Sequence, residues 1–200
     1  MEYASHHQRI HRAAAEITGA RVVVDSSKEI PTALALSHLD DLDLRVIHIV
    51  RDARGVAYSW SKVVQRPEAG GEPMPRFSAS RSTTFWLSGN VTVAALRHRG
   101  VPVARMRYED LVDDPAAAVG AAWRDLALPG TASIPMLGPD TVHLNPTHSV
   151  AGNPMRFRTG VTKLSADEAW RESLRARDRR VVTAMAWPVL RQYGYLGGQR

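Results

Sequence analysis

The sequence predicts an α/β domain built on a parallel sheet. Three observations carry this prediction. Short apolar, β-branched runs occur at Val22–Val24, Leu44–Val50 and Val101–Met106. Stretches of helical periodicity separate them, the alternation that buries a parallel sheet between helical layers. The length, 200 residues, suits one hydrophobic core rather than two.

Each element has a local reason. Residues 2–18 are rich in helix formers and place Ile10, Ala13, Ala14 and Ile17 three and four apart, an amphipathic pattern that ends at Gly19. Val22–Val24 follows as a first strand and stops at Asp25-Ser26-Ser27-Lys28. Pro31 then opens a helix to about Leu39, since proline suits a first turn. Leu44–Val50 is the strongest strand pattern and runs into Arg51-Asp52-Ala53-Arg54-Gly55 and a helix to about Val64. Gln65–Arg76 carries Pro67, Gly70, Gly71, Pro73 and Pro75 and reads as a long loop of the kind that forms lids.

Residues 78–98 read as a longer helix and Val101–Met106 as a third strand. Asp114-Pro115 is an N-cap followed by a favourable first helical residue for 115–127. Pro129–Pro146 reads as irregular. Ser165 and Glu168 have capping-box spacing before a helix to about Ala176, and a last helix holds Val181 to about Tyr193, kinked or interrupted near Pro188. Ligands of parallel sheets sit beyond the carboxyl ends of the strands. That rule puts Asp25–Lys28, Arg51–Gly55 and Tyr108–Asp110 on one rim.

Composition narrows the partners. The formal net charge is +6 and the pI about 10.1, which favours an anionic guest. Only Lys28, Lys62 and Lys163 are lysines; the other cations are arginines, and they are dispersed. The densest stretch, Arg171–Arg180, mixes in Glu172 and Asp178 at helical spacing, so nucleic acid is not an expected partner. Zero Cys removes disulfides and thiolate chemistry. His6, His7 and His11, taken from His6 at i, i+1 and i, i+5, share no helix face well and read as surface histidines, so no metal is expected. No apolar run approaches the roughly 18 residues of a membrane span, and Met1–His7 does not resemble a signal peptide, so a cytoplasmic location is expected.

Leu44–Trp60, LRVIHIVRDARGVAYSW, resembles the 3′-phosphate-binding segment of sulfotransferases that use 3′-phosphoadenosine 5′-phosphosulfate (PAPS), in which a strand ends in Arg and a Ser follows eight residues later. Arg51 and Ser59 match both positions. Val23–Ile30, VVDSSKEI, is similar to the strand and turn of bacterial and tyrosylprotein-type members, whose Lys stabilises the leaving phosphate; here it is Lys28. Arg107–Leu111 with Asp114-Pro115 is similar to the segment whose Tyr, here Tyr108, borders the adenine. His148–Arg158 is similar to the basic C-terminal loop that closes over the nucleotide's 3′-phosphate, with Arg156 favoured over Arg158.

The resemblance implies a three-layer, P-loop-NTPase-like parallel sheet of the sulfotransferase fold, incomplete at its N-terminus, with residues 1–200 as one truncated domain. It implies an enzyme that passes a sulfuryl group from PAPS, without a metal, to a hydroxyl or amine of a small molecule, glycan or peptide. The family's first strand and its Gly- and Ser/Thr-rich loop have no counterpart here. A start assigned too far downstream, a fragment, or an inactive remnant acting as a nucleotide- or protein-binding module would each account for that, and the open sheet edge would be a site of self-association.

The residues have plainer readings too. Arg51 beside Asp52 could be an ion pair at a helix start, Lys28 a surface cation, and Tyr108 a core cap with its hydroxyl in water.

Overall fold

The computed structural model describes residues 2–26, 30–65, 71–145 and 158–197. Helices α1 (Glu2–Thr18) and α2 (Ile30–Leu36) precede strand β1 (Val46–Val50), which leads into α3 (Ala53–Ser61). Helix α4 (Ala79–His98) returns the chain to β2 (Val103–Arg107), followed at once by α5 (Tyr108–Asp113) and α6 (Pro115–Asp125). Strands β3 (Met136–Gly138), β4 (Thr141–Leu144) and β5 (Gly160–Lys163) come next, then α7 (Trp170–Ser173) and α8 (Ala176–Gln192). No helix among the described residues is long and apolar enough to cross a membrane.

β1 and β2 pair in parallel, with Val46 opposite Val103 and Val50 opposite Arg107. Ala104 and Met106 on one face pack against Ala122 and Leu126, which lie on and just after α6. Ile47 and Ile49, which share that face, remain exposed on β1. The opposite face carries His48, which meets the Tyr193 ring at the end of α8. Behind it α3, α4 and α8 pack through Ala53, Ala57, Val182, Ala186 and Leu190, with Trp86 and Leu87 against them. The alanines at this contact let the helix backbones approach closely, and Leu190 and Val182 are fully buried between them.

Several boundaries follow their local signals. Gly19 takes φ +65° at the end of α1, a left-handed conformation that favours glycine. The Asp114 side chain accepts from the Ala117 N–H at 2.9 Å and caps α6, with Pro115 in its first turn.

Four expectations are corrected. Val22–Val24 is not a strand: among the described residues β1 pairs only with β2, and Val24 is 75% exposed. A β-branched run has no ladder without a neighbour to bond. Within the stretch read as irregular, β3 and β4 form a hairpin that continues antiparallel into β5. Ser165–Glu168 does not cap a helix; α7 begins only at Trp170, and α8 starts at Ala176 and continues through Pro188. The Ile10–Ile17 stripe of α1 faces outward, with Ile17 86% exposed, while Ala4 and Gln8 are its buried positions. Polar contacts fasten this helix instead: Gln8 Nε2 and Arg12 Nη2 donate to the two oxygens of Asp41 at 2.7 and 2.6 Å.

Candidate functional site

The register of the parallel pair builds the site. Val50 and Arg107 are the last paired residues of their strands, so the next residue of each chain, Arg51 and Tyr108, leaves the sheet beside the other. The Arg51 guanidinium lies 4.8 Å from the centre of the Tyr108 ring, a cation–π arrangement. The Trp86 indole N–H donates to the Arg51 carbonyl at 3.1 Å and fixes the backbone at this turn. Asp52 caps α3 by accepting from the Arg54 N–H at 2.8 Å and pairs with the Arg54 guanidinium at 2.6 Å. The Arg51–Asp52 ion pair offered by the plain reading of the sequence is therefore not what forms: Asp52 belongs to Arg54.

Arg51 turns to a segment more than a hundred residues away. Its Nη2 donates to the carbonyl of Asp167 at 2.6 Å and lies 3.3 Å from Asp167 Oδ2. Lys62 Nζ reaches the same oxygen at 3.2 Å while resting 4.5 Å from the Tyr58 ring. The Asp167 N–H donates to Tyr108 Oη at 3.3 Å. Burial pushes the Asp167 carboxyl upward, but hydrogen bonds from Lys62 and Arg51 outweigh that and hold it below the ordinary aspartate value. A carboxylate of the chain itself thus sits between two cations at the carboxyl end of the sheet, where a parallel α/β domain binds anionic ligands.

Behind this cluster, Gly55 on the buried side of α3 faces Trp170. A Cβ there would lie 3.1 Å from both Arg51 Nε and Trp170 Cδ1, closer than such contacts ordinarily run. The Arg54 guanidinium stacks 4.7 Å over the Trp170 ring and donates to the Tyr195 carbonyl at 3.0 Å. The Tyr195 hydroxyl lies 2.7 Å from Glu109 Oε2 and 3.0 Å from the Val50 carbonyl. Burial, then the Glu109 carboxylate, push this phenol upward and keep it neutral.

The cleft among Asp52, Arg107, Tyr108, Asp167, Trp170 and Tyr195 has a volume of about 30 Å³, room for little more than water. Pockets for drug-sized ligands are roughly ten times that size.

The sequence-predicted residues divide into three groups. Arg51 and Tyr108 are brought together. Ser59 lies exposed toward the end of α3, six residues and about 9 Å of helix rise beyond Ala53, and does not line the cleft. Lys28 and Arg156 lie outside the described residues. The sequence reading placed Asp52 and Arg54 on the rim without these roles, and it missed Asp167, Lys62 and Tyr195. Of these only Asp52 had a local signal, an acidic residue directly before a helix; Asp167, Lys62 and Tyr195 act across 86 to 145 residues of chain, as does Arg54 at the Tyr195 carbonyl.

No family model, curated protein or solved structure matches this chain. The functional reading therefore rests on the residues and their arrangement.

Proposed function

We propose that this domain binds PAPS and transfers its sulfuryl group to a hydroxyl or amine acceptor. One observation supports the reading above the rest: Arg51 and Tyr108 emerge side by side from adjacent parallel strands, with an anion, the Asp167 carboxylate, against the guanidinium. In this reading a nucleotide phosphate replaces that carboxylate. Arg51 and Ser59 hold the 3′-phosphate, Ser59 serving a ligand that lies along α3, while Tyr108 borders the adenine and Arg156 closes the site. Lys28 stabilises the leaving 5′-phosphate as the S–O bond to it breaks and the acceptor's O–S or N–S bond forms. The acceptor's proton leaves to solvent or a base. As in phosphoryl transfer, the protein's contribution is positioning and charge stabilisation.

The test is binding of adenosine 3′,5′-bisphosphate against AMP by titration calorimetry. Arg51→Ala should weaken the bisphosphate by about 1.5–3 kcal/mol, the range for hydrogen bonds to charged groups, and leave AMP nearly unchanged. Equal affinity of the wild-type chain for the two nucleotides would overturn the proposal.

A second reading, a binding module without turnover, draws on the small cleft and on the internal carboxylate at its cation. Bisphosphate binding together with no release of adenosine 3′,5′-bisphosphate from PAPS, across hydroxyl and amine acceptors, would favour it.

A further inference from the structure

We propose that His7, His11 and Asp25 form a binding site for a divalent transition-metal ion of the Zn2+ type. Taken from His6, the spacings of this histidine group are unpromising; taken from His7, His11 lies four residues on, directly above it on α1. The two rings are 6.3 Å apart, centre to centre. Asp25 reaches the same point from the segment after the helix, its Oδ2 lying 3.2 Å from His11 Nε2. One ligand atom from each residue falls within 4.8 Å of the other two.

The geometry is close to what a metal needs. Tetrahedral zinc with bonds of 2.0–2.1 Å holds its ligand atoms about 3.4 Å apart. The His11–Asp25 edge already has that length. The widest separation must contract by about 1.4 Å, a movement that side-chain rotation supplies. Two imidazoles and a carboxylate suit zinc and its transition-metal neighbours, whereas calcium and magnesium take oxygen ligands. Three protein ligands leave a fourth position for water or another ligand.

The surroundings also fit. The Tyr3 ring packs 4.5 Å from the His7 ring, and the Tyr3 hydroxyl is hydrogen-bonded to Thr32 Oγ1 on α2 at 2.7 Å. His7 is thus oriented by a neighbour that is itself anchored to a second helix, as outer-shell groups orient metal ligands. The His11 side chain is only 20% exposed. A bound ion would tether residues 22–26, which lack a strand partner among the described residues, to a helix that is otherwise held by polar contacts. The inference is independent of sulfuryl transfer.

The experiment is titration of the metal-free full chain with ZnCl2 by calorimetry and with CoCl2 by visible absorption. One ion per chain is expected, with the intense d–d bands of low-coordinate cobalt and a zinc-dependent rise in the unfolding midpoint. His7→Gln, His11→Gln and Asp25→Asn should each weaken binding by about ten-fold or more, and His11→Gln should abolish the cobalt bands. His6→Gln should change nothing, because His6 faces Glu2 and Arg9 instead. Circular dichroism establishes that each variant is folded; Asp25→Asn, at an exposed position, keeps the test open if a helix variant is not. Absence of saturable one-to-one binding, indifference to His11→Gln and Asp25→Asn, or an equal loss from His6→Gln would overturn the proposal.

Discussion

Asp167→Asn should tighten nucleotide binding. The substitution keeps the shape of the side chain and the backbone carbonyl that accepts from Arg51 at 2.6 Å, so the segment retains its anchor while losing its charge. At 3.3 Å the bare attraction between Arg51 and Asp167 is about 5 kcal/mol for an effective dielectric of 20. The Asp167 side chain is 36% exposed, and pairs that wet retain only about 0.2–1 kcal/mol each after hydration and screening. Arg51 and Lys62 share one carboxylate oxygen, and the two pairs together come to about 0.4–2 kcal/mol. An incoming phosphate must displace that interaction in the wild-type chain and need not in the variant.

The expected result is a gain in affinity for adenosine 3′,5′-bisphosphate of about two- to thirtyfold. Calorimetric titration of both proteins at low and at high salt reads it, and the gain should shrink as salt screens the pair. Unchanged or weaker binding by Asp167→Asn would refute the view that this carboxylate competes with the ligand. The same substitution has an acid signature. Because Asp167 is held below its ordinary value of 3.8 in the folded chain, its contribution to stability is complete above that value and is lost as pH falls through the lower, folded one. The variant should lack that portion of the acid destabilisation.

Three further outcomes follow from the packing around the site. Asp52→Ala removes the cap of α3 and the partner of Arg54 and should cost about 2–3 kcal/mol, read as a fall of the unfolding midpoint of about 5–10 °C. Tyr195→Phe should cost about 1–2 kcal/mol in urea unfolding, since the Glu109 carboxylate and the Val50 carbonyl lose a hydroxyl at 2.7 and 3.0 Å. His48 is lowered from 6.5 to about 4 by burial and then by the positive charges of Arg105 and Arg97. The unfolded chain therefore takes up this proton first, and stability should fall by about 2 kcal/mol between pH 7 and pH 5; His48→Gln should flatten that part of the urea-midpoint profile.

The paired strands, the long helices and the caps were legible because their causes are local. Val46–Val50 is a β-branched run, and Asp114-Pro115 announces α6 within two residues. Val22–Val24 shows the limit of such reasoning: a run with strand propensity becomes a strand only beside a partner, and propensity says nothing about partners. The pairing of β4 with β5 was illegible for the converse reason, since its short, mixed strands are specified by each other rather than by either sequence. At the site, Arg51 and Tyr108 could be found because strand ends are local features and parallel register brings them together. Asp167 could not, because its meaning comes from cations 105 and 116 residues away. Its neighbours Ser165 and Glu168 instead imitated a helix start.

Gly55 gives the site a mechanical coupling that involves no charge. Its missing methyl is the clearance that lets Trp170 and the Arg51 side chain share one small volume on the buried side of α3. Asp167 stands three residues before that tryptophan, so the anion's position and the packing of the helix are two readings of the same gap. An alanine there would press on the indole and on the Arg51 side chain at once. The helix surface thus acts as a gauge block, whose thickness, one carbon atom, sets how near the chain's own acid can come to its cation.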